Sequence, residues 1–268
     1  MRHVHRISFS LFILFAFLNC GIITLFFTNN PSQPAIDLVP KGSSEGNNLT
    51  LADIPIRDPN ILYSNGSYYM TGTTAWDGFL GFSSPDLITW TANGHIYQKN
   101  ESNYWAQYNF WAPEMVELNG KFYLFFTGIS DSSKRRTGVA VADHPLGPYV
   151  DLMAEPLTPP EHHCLDGHFV IDTDGKFYFF YVYEWINDGT GEMWVQELST
   201  DLMQLIGDPK VLFQGPDARW GKGVVDGPSL LIDQGKYFLL WSSFNQENYG
   251  KYGVGYATAD SIMGPYIQ

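Results

Sequence analysis

A four-residue motif occurs four times along this chain of 268 residues. Each copy is a glycine, a serine or lysine, and then two aromatic residues, and successive copies are 54, 55 and 60 residues apart. The copies are Gly66-Ser67-Tyr68-Tyr69, Gly120-Lys121-Phe122-Tyr123, Gly175-Lys176-Phe177-Tyr178 and Gly235-Lys236-Tyr237-Phe238. Self-similarity at such a period is the signature of a repeat architecture, so this motif constrains the fold more than any single residue does.

Each copy of the motif also marks a hairpin turn. The residue before each glycine is polar or acidic, and such dipeptides let a two-residue turn reach positive φ. The runs on both sides are apolar or aromatic and lack a 3.6-residue period, so they are predicted to be strands. A unit of about 55 residues with about four short antiparallel strands has the size of a propeller blade, which predicts an all-β propeller with about four blades.

Carboxylates precede three of the four hairpins, on the strand that lines the central channel of a propeller. They are Asp58, Asp166 and Asp226, each followed by a glycine or a proline. An aspartate in such a dipeptide is ordinarily a turn former. Three of them at equivalent positions of the repeat indicate a function, because like charges that converge on one channel destabilise the fold.

Taken in order, these motifs resemble the five-bladed β-propeller glycoside hydrolases of family 43, which act on arabinan, arabinoxylan and xylan side chains. The resemblance runs from about Ile54 to the end of the chain. It rests on Arg57-Asp58-Pro59, Trp111-Ala112-Pro113-Glu114, Asp166-Gly167-His168-Phe169 and Asp226-Gly227-Pro228. It implies that Asp58 is the general base that activates water, that Asp166 orients and tunes the acid, and that Asp226 is the general acid of an inverting hydrolase.

These implied roles agree with the chemistry of two-carboxylate hydrolysis. One carboxylate must stay ionised to take a proton from water, and the other must stay protonated to give one to the leaving oxygen. The position of the acid usually holds Glu in the family, and Asp226 is one methylene shorter. Glu184 is therefore the reserve candidate for the acid, and its alternative is a strand-end carboxylate in solvent or paired with a cation.

Three further residues are candidates for substrate binding. Trp76 and Trp111 are each as consistent with stacking on a sugar ring as with packing inside a blade. His168 is as consistent with a bond to a sugar hydroxyl as with a buried, satisfied histidine. The resemblance then implies an inverting exo-glycosidase on pentose glycans, of the α-L-arabinofuranosidase or β-xylosidase type. The alternatives are a catalytically inactive carbohydrate-binding propeller, an endo-arabinanase and a fructan hydrolase.

The N-terminal region has the pattern of a targeting segment. Arg2 and Arg6 precede an apolar run over residues 7–27, which is long enough for either a signal peptide or a span of the bilayer. Basic residues on that side place the rest of the chain outside the cytoplasm in both cases. We therefore predict a signal peptide or membrane anchor at residues 1–28, a polar linker at 29–50 and a β-propeller glycosidase domain at 51–268.

The charge balance limits the partners. The chain has 15 Lys and Arg against 28 Asp and Glu, a formal charge of −13, which repels phosphate backbones and argues against nucleic-acid binding. The expected partner is a plant-type pentose polysaccharide or oligosaccharide. No cofactor is expected to be required, a structural calcium ion is left open, and no metal ligands are assigned.

The resemblance also bears on completeness. The family has five blades, whereas four hairpins precede Gln268, and no histidine follows His168 to supply the channel-facing histidine of a fifth blade. We therefore expect the domain to be C-terminally incomplete, as a fragment or a truncated product. Unpaired blade edges should make it melt or aggregate easily and leave it with little activity.

Overall fold

A computed structural model describes residues 46–100, 105–130, 133–244 and 251–268. In these residues fifteen strands form four antiparallel sheets, each in sequential order. The arrangement confirms the predicted all-β propeller with four blades. The predicted signal peptide or anchor lies outside the described residues, and within them no helix is long and apolar enough to cross a membrane.

The strands of the four blades follow the chain without crossover. Blade 1 contains β1 (Arg57–Ser64), β2 (Ser67–Thr73), β3 (Gly78–Ser84) and β4 (Thr91–Gln98). Blade 2 contains β5 (Tyr108–Leu118), β6 (Lys121–Ile129), β7 (Arg136–Ala142) and β8 (Val150–Asp151). Blade 3 contains β9 (Cys164–Ile171), β10 (Phe177–Tyr183), β11 (Glu192–Leu198) and β12 (Leu205–Gln214). Blade 4 contains β13 (Asp226–Asp233), β14 (Lys236–Phe244) and β15 (Tyr252–Ala259).

The repeated motif forms the turn between the first two strands of every blade. In blades 1, 2 and 4 both central residues have positive φ, as in Asn65 at 49° and Gly66 at 84°, which is the geometry of a two-residue hairpin. Blade 3 differs from the prediction, because its turn runs from Asp172 to Lys176 and only Gly175 has positive φ. The Asp174 carboxylate accepts the Lys176 N–H at 3.0 Å and stabilises this longer turn.

Apolar cores lie between adjacent blades. Phe79, Phe110 and Phe126 pack between blades 1 and 2, while Phe125 and Phe179 are fully buried between blades 2 and 3. A third core between blades 3 and 4 contains Phe180, Val195, Leu239 and Trp241. These aromatic side chains, each removing a large area from water, provide the main apolar contacts between the sheets.

The two outermost sheet faces differ. The face of blade 1 is covered by the segment that precedes β1, where Ile54 is buried and Leu49 forms a bridge with Trp90. Leu49, at the end of the predicted linker, is thus part of the folded unit. The corresponding face of blade 4 is open, with Leu231 51% exposed and Tyr256 61% exposed.

Hydrogen bonds join the first strand of each blade to the first strand of the next. Asn60 Oδ1 accepts the Met115 N–H at 2.9 Å, and Glu114 Oε2 accepts the Phe169 N–H at 2.9 Å. We call these contacts, together with that of His168 Nε2, which accepts the Leu230 N–H at 3.0 Å, the seam hydrogen bonds. They fix the order and spacing of the blades around the centre, and hence the position of everything that points into it.

Candidate active site

A cavity of about 570 Å³ lies at the centre of the four first strands. Three predicted carboxylates reach it from three different blades, together with the reserve candidate and three aromatic side chains. The residues of this group are Asp58, Asp166, Asp226, Glu184, Trp111, Trp185 and Tyr252. The structure thus brings together the residues that the resemblance implied.

A β-bulge occurs at the same level of the first strand in every blade. Between two consecutive pairs, for example Arg57–Thr73 and Asn60–Thr71, the first strand advances by three residues and the second by two. The same irregularity occurs in blades 2, 3 and 4. The bulge turns the strand at the cavity wall, and such bulges redirect side chains at functional sites.

The first bulge residue of each blade has a left-handed backbone. These residues are Asp58 at φ 49°, Ala112 at 43°, Asp166 at 53° and Gly227 at 57°. Aspartate is among the few residues that enter this region at modest cost, and glycine enters it at none. Asp58 and Asp166 therefore tolerate the left-handed bulge conformation and also place their carboxylates in the cavity.

Asp226 is not equivalent to the other two aspartates. It stands one residue before the bulge residue Gly227 and pairs with Ser242, the level that Leu165 occupies in blade 3. The expectation of three aspartates at equivalent repeat positions is therefore wrong for Asp226. Blades 3 and 4 both contain an Asp-Gly dipeptide, so the sequence does not show which of its two residues occupies the left-handed bulge position. In blade 3 that residue is Asp166, and in blade 4 it is Gly227.

The Asp58 carboxylate is oriented by the neighbouring strand and faces water. It is exposed, and its Oδ2 accepts the Thr73 hydroxyl at 2.7 Å. The same hydroxyl oxygen accepts the Ala112 N–H of blade 2 at 3.0 Å. Thr73 therefore holds Asp58 against a fixed point of the next blade, and the second oxygen of Asp58 is left for a water molecule.

Asp166 is linked to blades 2 and 4 by hydrogen bonds, and its carboxyl group interacts electrostatically with Asp58. Its N–H donates to the Thr127 hydroxyl at 3.0 Å, and its Oδ2 accepts the Gly227 N–H at 2.9 Å. Burial and, secondly, the charge of Asp58 raise the pKa of Asp166 to about 7, against the lowering effect of the Gly227 N–H.

The surroundings of Asp226 favour its protonated form. Burial raises its pKa well above the usual value, and the negative charges of Asp166 and Glu184 raise it further. The Tyr252 hydroxyl is in hydrogen-bond contact with Asp226 Oδ2. A site that combines an exposed carboxylate with a carboxyl group of raised pKa has the electrostatic contrast that a general base and a general acid require.

Glu184 forms an ion pair at the wall of the cavity. Its two oxygens accept hydrogen bonds from Arg135 Nε at 2.8 Å and Nη2 at 2.7 Å, and only 7% of Glu184 is exposed. The Arg135 guanidinium also lies over the Trp111 ring, 5.0 Å from its centroid. Both oxygens of Glu184 thus serve as acceptors, which agrees with the cation-paired alternative of the sequence analysis.

The three predicted substrate-binding residues have different surroundings. Trp111 lines the cavity beside Arg135, whereas Trp76 is not among the lining residues, is 54% exposed and lies under Lys99 at 4.8 Å. His168 lines the cavity, but its Nδ1 is 2.8 Å from Glu114 and its Nε2 accepts a seam hydrogen bond. Both ring nitrogens of His168 have partners in the protein, which matches the satisfied-histidine alternative. A contact between Trp76 and a sugar stays a prediction, and it would lie outside this cavity.

No metal site is evident at the cavity. Among the residues that the structure describes, no group of three or more His, Cys, Asp or Glu side chains is arranged to hold a metal ion. Each of the five cavity carboxylates already has a protein partner: Asp58 contacts Thr73, Asp166 contacts Gly227, Asp226 contacts Tyr252, Glu184 contacts Arg135, and Glu114 contacts His168. The expectation that no cofactor is required, with a structural calcium ion left open, stays a prediction.

Fold and site together define a β-propeller with a carboxylate cluster in its central cavity. The family model of glycosyl hydrolases family 43 matches residues 53–268 of the chain. The chain therefore belongs to glycosyl hydrolase family 43, as its motifs indicated.

Individual relatives have several named activities. The chain is 29% identical to a beta-D-galactofuranosidase, xynD, of Aspergillus niger, over 78% of this chain and 62% of the relative. It is 25% identical to the extracellular endo-alpha-(1->5)-L-arabinanase 2 of Bacillus subtilis, over 80% of this chain and 50% of the relative. The chain thus spans about half the length of these curated relatives.

Among solved structures, an endo-arabinase from Bacteroides thetaiotaomicron is similar over most of both chains. It is 33% identical, with a TM-score of 0.79, and the match covers 84% of this chain and 83% of that one.

Sequence reasoning missed two residues that shape the site. Arg135 stands in the connection before β7, and no repeat or motif relates it to Glu184, which is 49 residues further on. Tyr252 begins β15 and contacts Asp226 across 26 residues. Strong alternation marks neither position, so only the folded geometry shows that both side chains meet carboxylates.

Proposed function

We propose that this domain is an inverting glycoside hydrolase that cleaves pentose-containing glycans. Asp58 is the general base, Asp226 is the general acid and Asp166 tunes the acid. The observation that carries the proposal is the contrast, within one cavity, between exposed Asp58 and the more enclosed Asp226, whose pKa is raised. Membership of a glycosyl hydrolase family supports the same reaction class.

The proposed reaction gives each of the three carboxylates one role. Asp58 takes a proton from a water molecule that attacks the anomeric carbon. The general acid Asp226 supplies the proton that the glycosidic oxygen receives as the glycosidic bond breaks. Asp166 opposes ionisation of Asp226 before the reaction, because a second negative charge beside the acid is unfavourable. Single displacement by water inverts the configuration at the anomeric carbon.

Glu184 is the weaker candidate for the acid. Its two oxygens are occupied by the Arg135 guanidinium, which favours the carboxylate over a form that donates a proton. We assign Glu184 to the wall of the cavity, where it keeps Arg135 above Trp111 and adds negative charge near Asp226.

The names of the relatives guide the choice of substrate. Arabinan comes first, because the protein of known structure with 33% identity over most of both chains is named an endo-arabinase. Xylan comes next, because a Vibrio relative with 28% identity is named a xylan 1,3-beta-xylosidase. An α-L-arabinofuranosidase or β-xylosidase action at chain ends is part of the proposal, and internal cleavage of arabinan is its alternative.

Location outside the cytoplasm is proposed on two grounds. The apolar run over residues 7–27 follows two arginines, and two arabinanases of Bacillus subtilis with similar sequences are named extracellular. Fractionation of a cell that expresses the full chain should place the domain in the medium or on the outer face of a membrane. Recovery of the protein in the cytoplasmic fraction would contradict this location.

Turnover and stereochemistry test the function. The purified chain is incubated with arabino-oligosaccharides, xylo-oligosaccharides and their 4-nitrophenyl glycosides, and proton NMR follows the first anomer that forms. We expect the inverted anomer from at least one pentoside. Binding of these sugars without turnover would instead support the inactive carbohydrate-binding alternative.

Asp58→Asn tests the base. The amide keeps the hydrogen bond from Thr73 but cannot take a proton, so we expect the rate to fall by about 10²–10⁴ with little change in melting temperature. Asp208→Asn, at an exposed position of β12, is the matched control and should keep full activity. Retention of more than a tenth of the activity by Asp58→Asn would remove Asp58 from the mechanism.

A further inference from the structure

The contact between Tyr252 and Asp226 has a role in the proposed chemistry. Tyr252 lines the cavity with 49% of its surface exposed, and its hydroxyl meets the Oδ2 atom of Asp226. Its ring packs edge-on against Phe244, with centroids 5.0 Å apart. The hydroxyl is therefore held at the carboxyl group by a fixed ring rather than by a mobile chain.

Asp226 enters the cavity on a short side chain. Its backbone lies one residue before the bulge, in a pair with Ser242, and desolvation of its carboxyl group raises its pKa. A side chain with one methylene extends less far than glutamate would. Tyr252 is the longer and the more exposed of the two side chains and lines the same cavity, so its hydroxyl can contact a glycosidic oxygen from further out than the Asp226 carboxyl group.

We propose that Tyr252 relays the proton from Asp226 to the leaving oxygen. The inference rests on the proposed function. The O–H bond of the protonated Asp226 breaks as its proton passes to Tyr252 Oη, and the original phenolic proton passes to the glycosidic oxygen. The bond between that oxygen and the anomeric carbon breaks with its electron pair on the oxygen. Asp226 ends as a carboxylate and Tyr252 ends neutral, so all atoms and charges balance.

In a relay Tyr252 is a catalytic residue, and its role can be tested by comparing substrates with poor and good leaving groups. Substrates with poor leaving groups need a proton on the departing oxygen, whereas activated aryl glycosides need almost none. Tyr252→Phe should therefore lower kcat for an oligosaccharide by about 10²-fold or more, and leave the 4-nitrophenyl glycoside of the same sugar nearly unchanged. The ratio of the two rates within one preparation does not depend on the fraction of folded protein.

Rescue by a longer acid distinguishes a relay from mere positioning. In the Tyr252→Phe background, Asp226→Glu moves the carboxyl group outward by one methylene and should restore oligosaccharide hydrolysis by about tenfold or more. Tyr256→Phe is the matched control, since Tyr256 lies on the same face of β15, is 61% exposed and is not a cavity residue. It should leave both rates unchanged.

The outcomes separate this inference from the proposed function. Equal losses on both substrates in Tyr252→Phe, full activity on both, or no recovery with Asp226→Glu would each overturn the relay while hydrolysis by the wild type stands. Absence of hydrolysis in the wild type, on oligosaccharide and aryl glycoside alike, would overturn the function and the relay together. A selective loss on the oligosaccharide with recovery by glutamate supports both.

Discussion

Asp166→Asn should make the domain more stable at neutral pH. Asp166 is buried beside Asp58 and Asp226, and its pKa is raised to about 7 from the usual 3.8. A buried carboxyl group with a raised pKa binds its proton more tightly in the folded chain than in the unfolded one. Its contribution to stability is therefore full below about pH 4 and is lost as pH rises through about 7.

The size of the effect follows from the shift. A difference of about three pKa units corresponds to about 4 kcal/mol of folding free energy above pH 7. At about 2–4 °C per kcal/mol, removal of this cost should raise Tm by about 10 °C at pH 8. Asparagine can still accept the Gly227 N–H, so the hydrogen bond of 2.9 Å need not be lost.

Thermal melts of both proteins between pH 4 and pH 8.5 measure the effect. We expect the wild-type Tm to fall with rising pH relative to Asp166→Asn, and the two curves to meet near pH 4. Asp208→Asn, which removes an exposed carboxylate, should follow the wild type. The variant should also shift the alkaline limb of the pH–rate profile to lower pH, because Asp226 loses a repelling neighbour.

Parallel melting curves would refute this reasoning. If wild type and Asp166→Asn differ by the same Tm at every pH, then Asp166 does not hold a proton in the folded chain that it releases near neutrality. An alkaline limb at the same pH in both proteins would show in addition that Asp166 does not tune Asp226. Either result would show that the surroundings of Asp166 do not have the electrostatic effect that the prediction assigns to them.

Two further predictions concern the cavity wall and the outer face. Arg135→Met should lower the unfolding free energy by about 3–5 kcal/mol in denaturant titration, because it leaves Glu184 buried without its partner. Adding Glu184→Leu should recover most of that loss, and a double variant as unstable as the single one would contradict the explanation. Leu231→Lys with Tyr256→Lys should reduce self-association in light scattering at unchanged Tm, since both residues stand exposed on blade 4. Unchanged scattering would show that this face does not associate.

Local rules were sufficient for the blades. A turn dipeptide between alternating apolar runs acts over a few residues, and it predicted the first hairpin of every blade from sequence alone. Asp58 and Asp166 were predictable for the same reason, since a left-handed bulge favours aspartate at a fixed place in the repeat. The longer turn at Asp174 shows the limit, because the choice between two hairpin types depends on one side-chain hydrogen bond.

The rest of the site depends on packing between distant segments. The register of Asp226 is decided by which residue enters the bulge, and an Asp-Gly dipeptide permits either answer. The ion pair of Arg135 with Glu184 and the contact of Tyr252 with Asp226 join residues that no repeat relates. Such contacts are set by blade geometry, which a one-dimensional pattern does not contain.

The seam hydrogen bonds make the spacing of the two reacting carboxylates a cumulative quantity. Asp58 stands on the first blade and Asp226 on the fourth, and the extensive packing of the described residues runs from each blade to the next. Their separation is therefore set in three successive steps, by the contacts between neighbouring blades at Asn60, at Glu114 and at His168. The four sheets are thus connected in series through three contacts between neighbouring blades. A change of angle at any one of these contacts moves Asp226 relative to Asp58, so residues remote from the sugar affect the distance between the two reacting carboxylates.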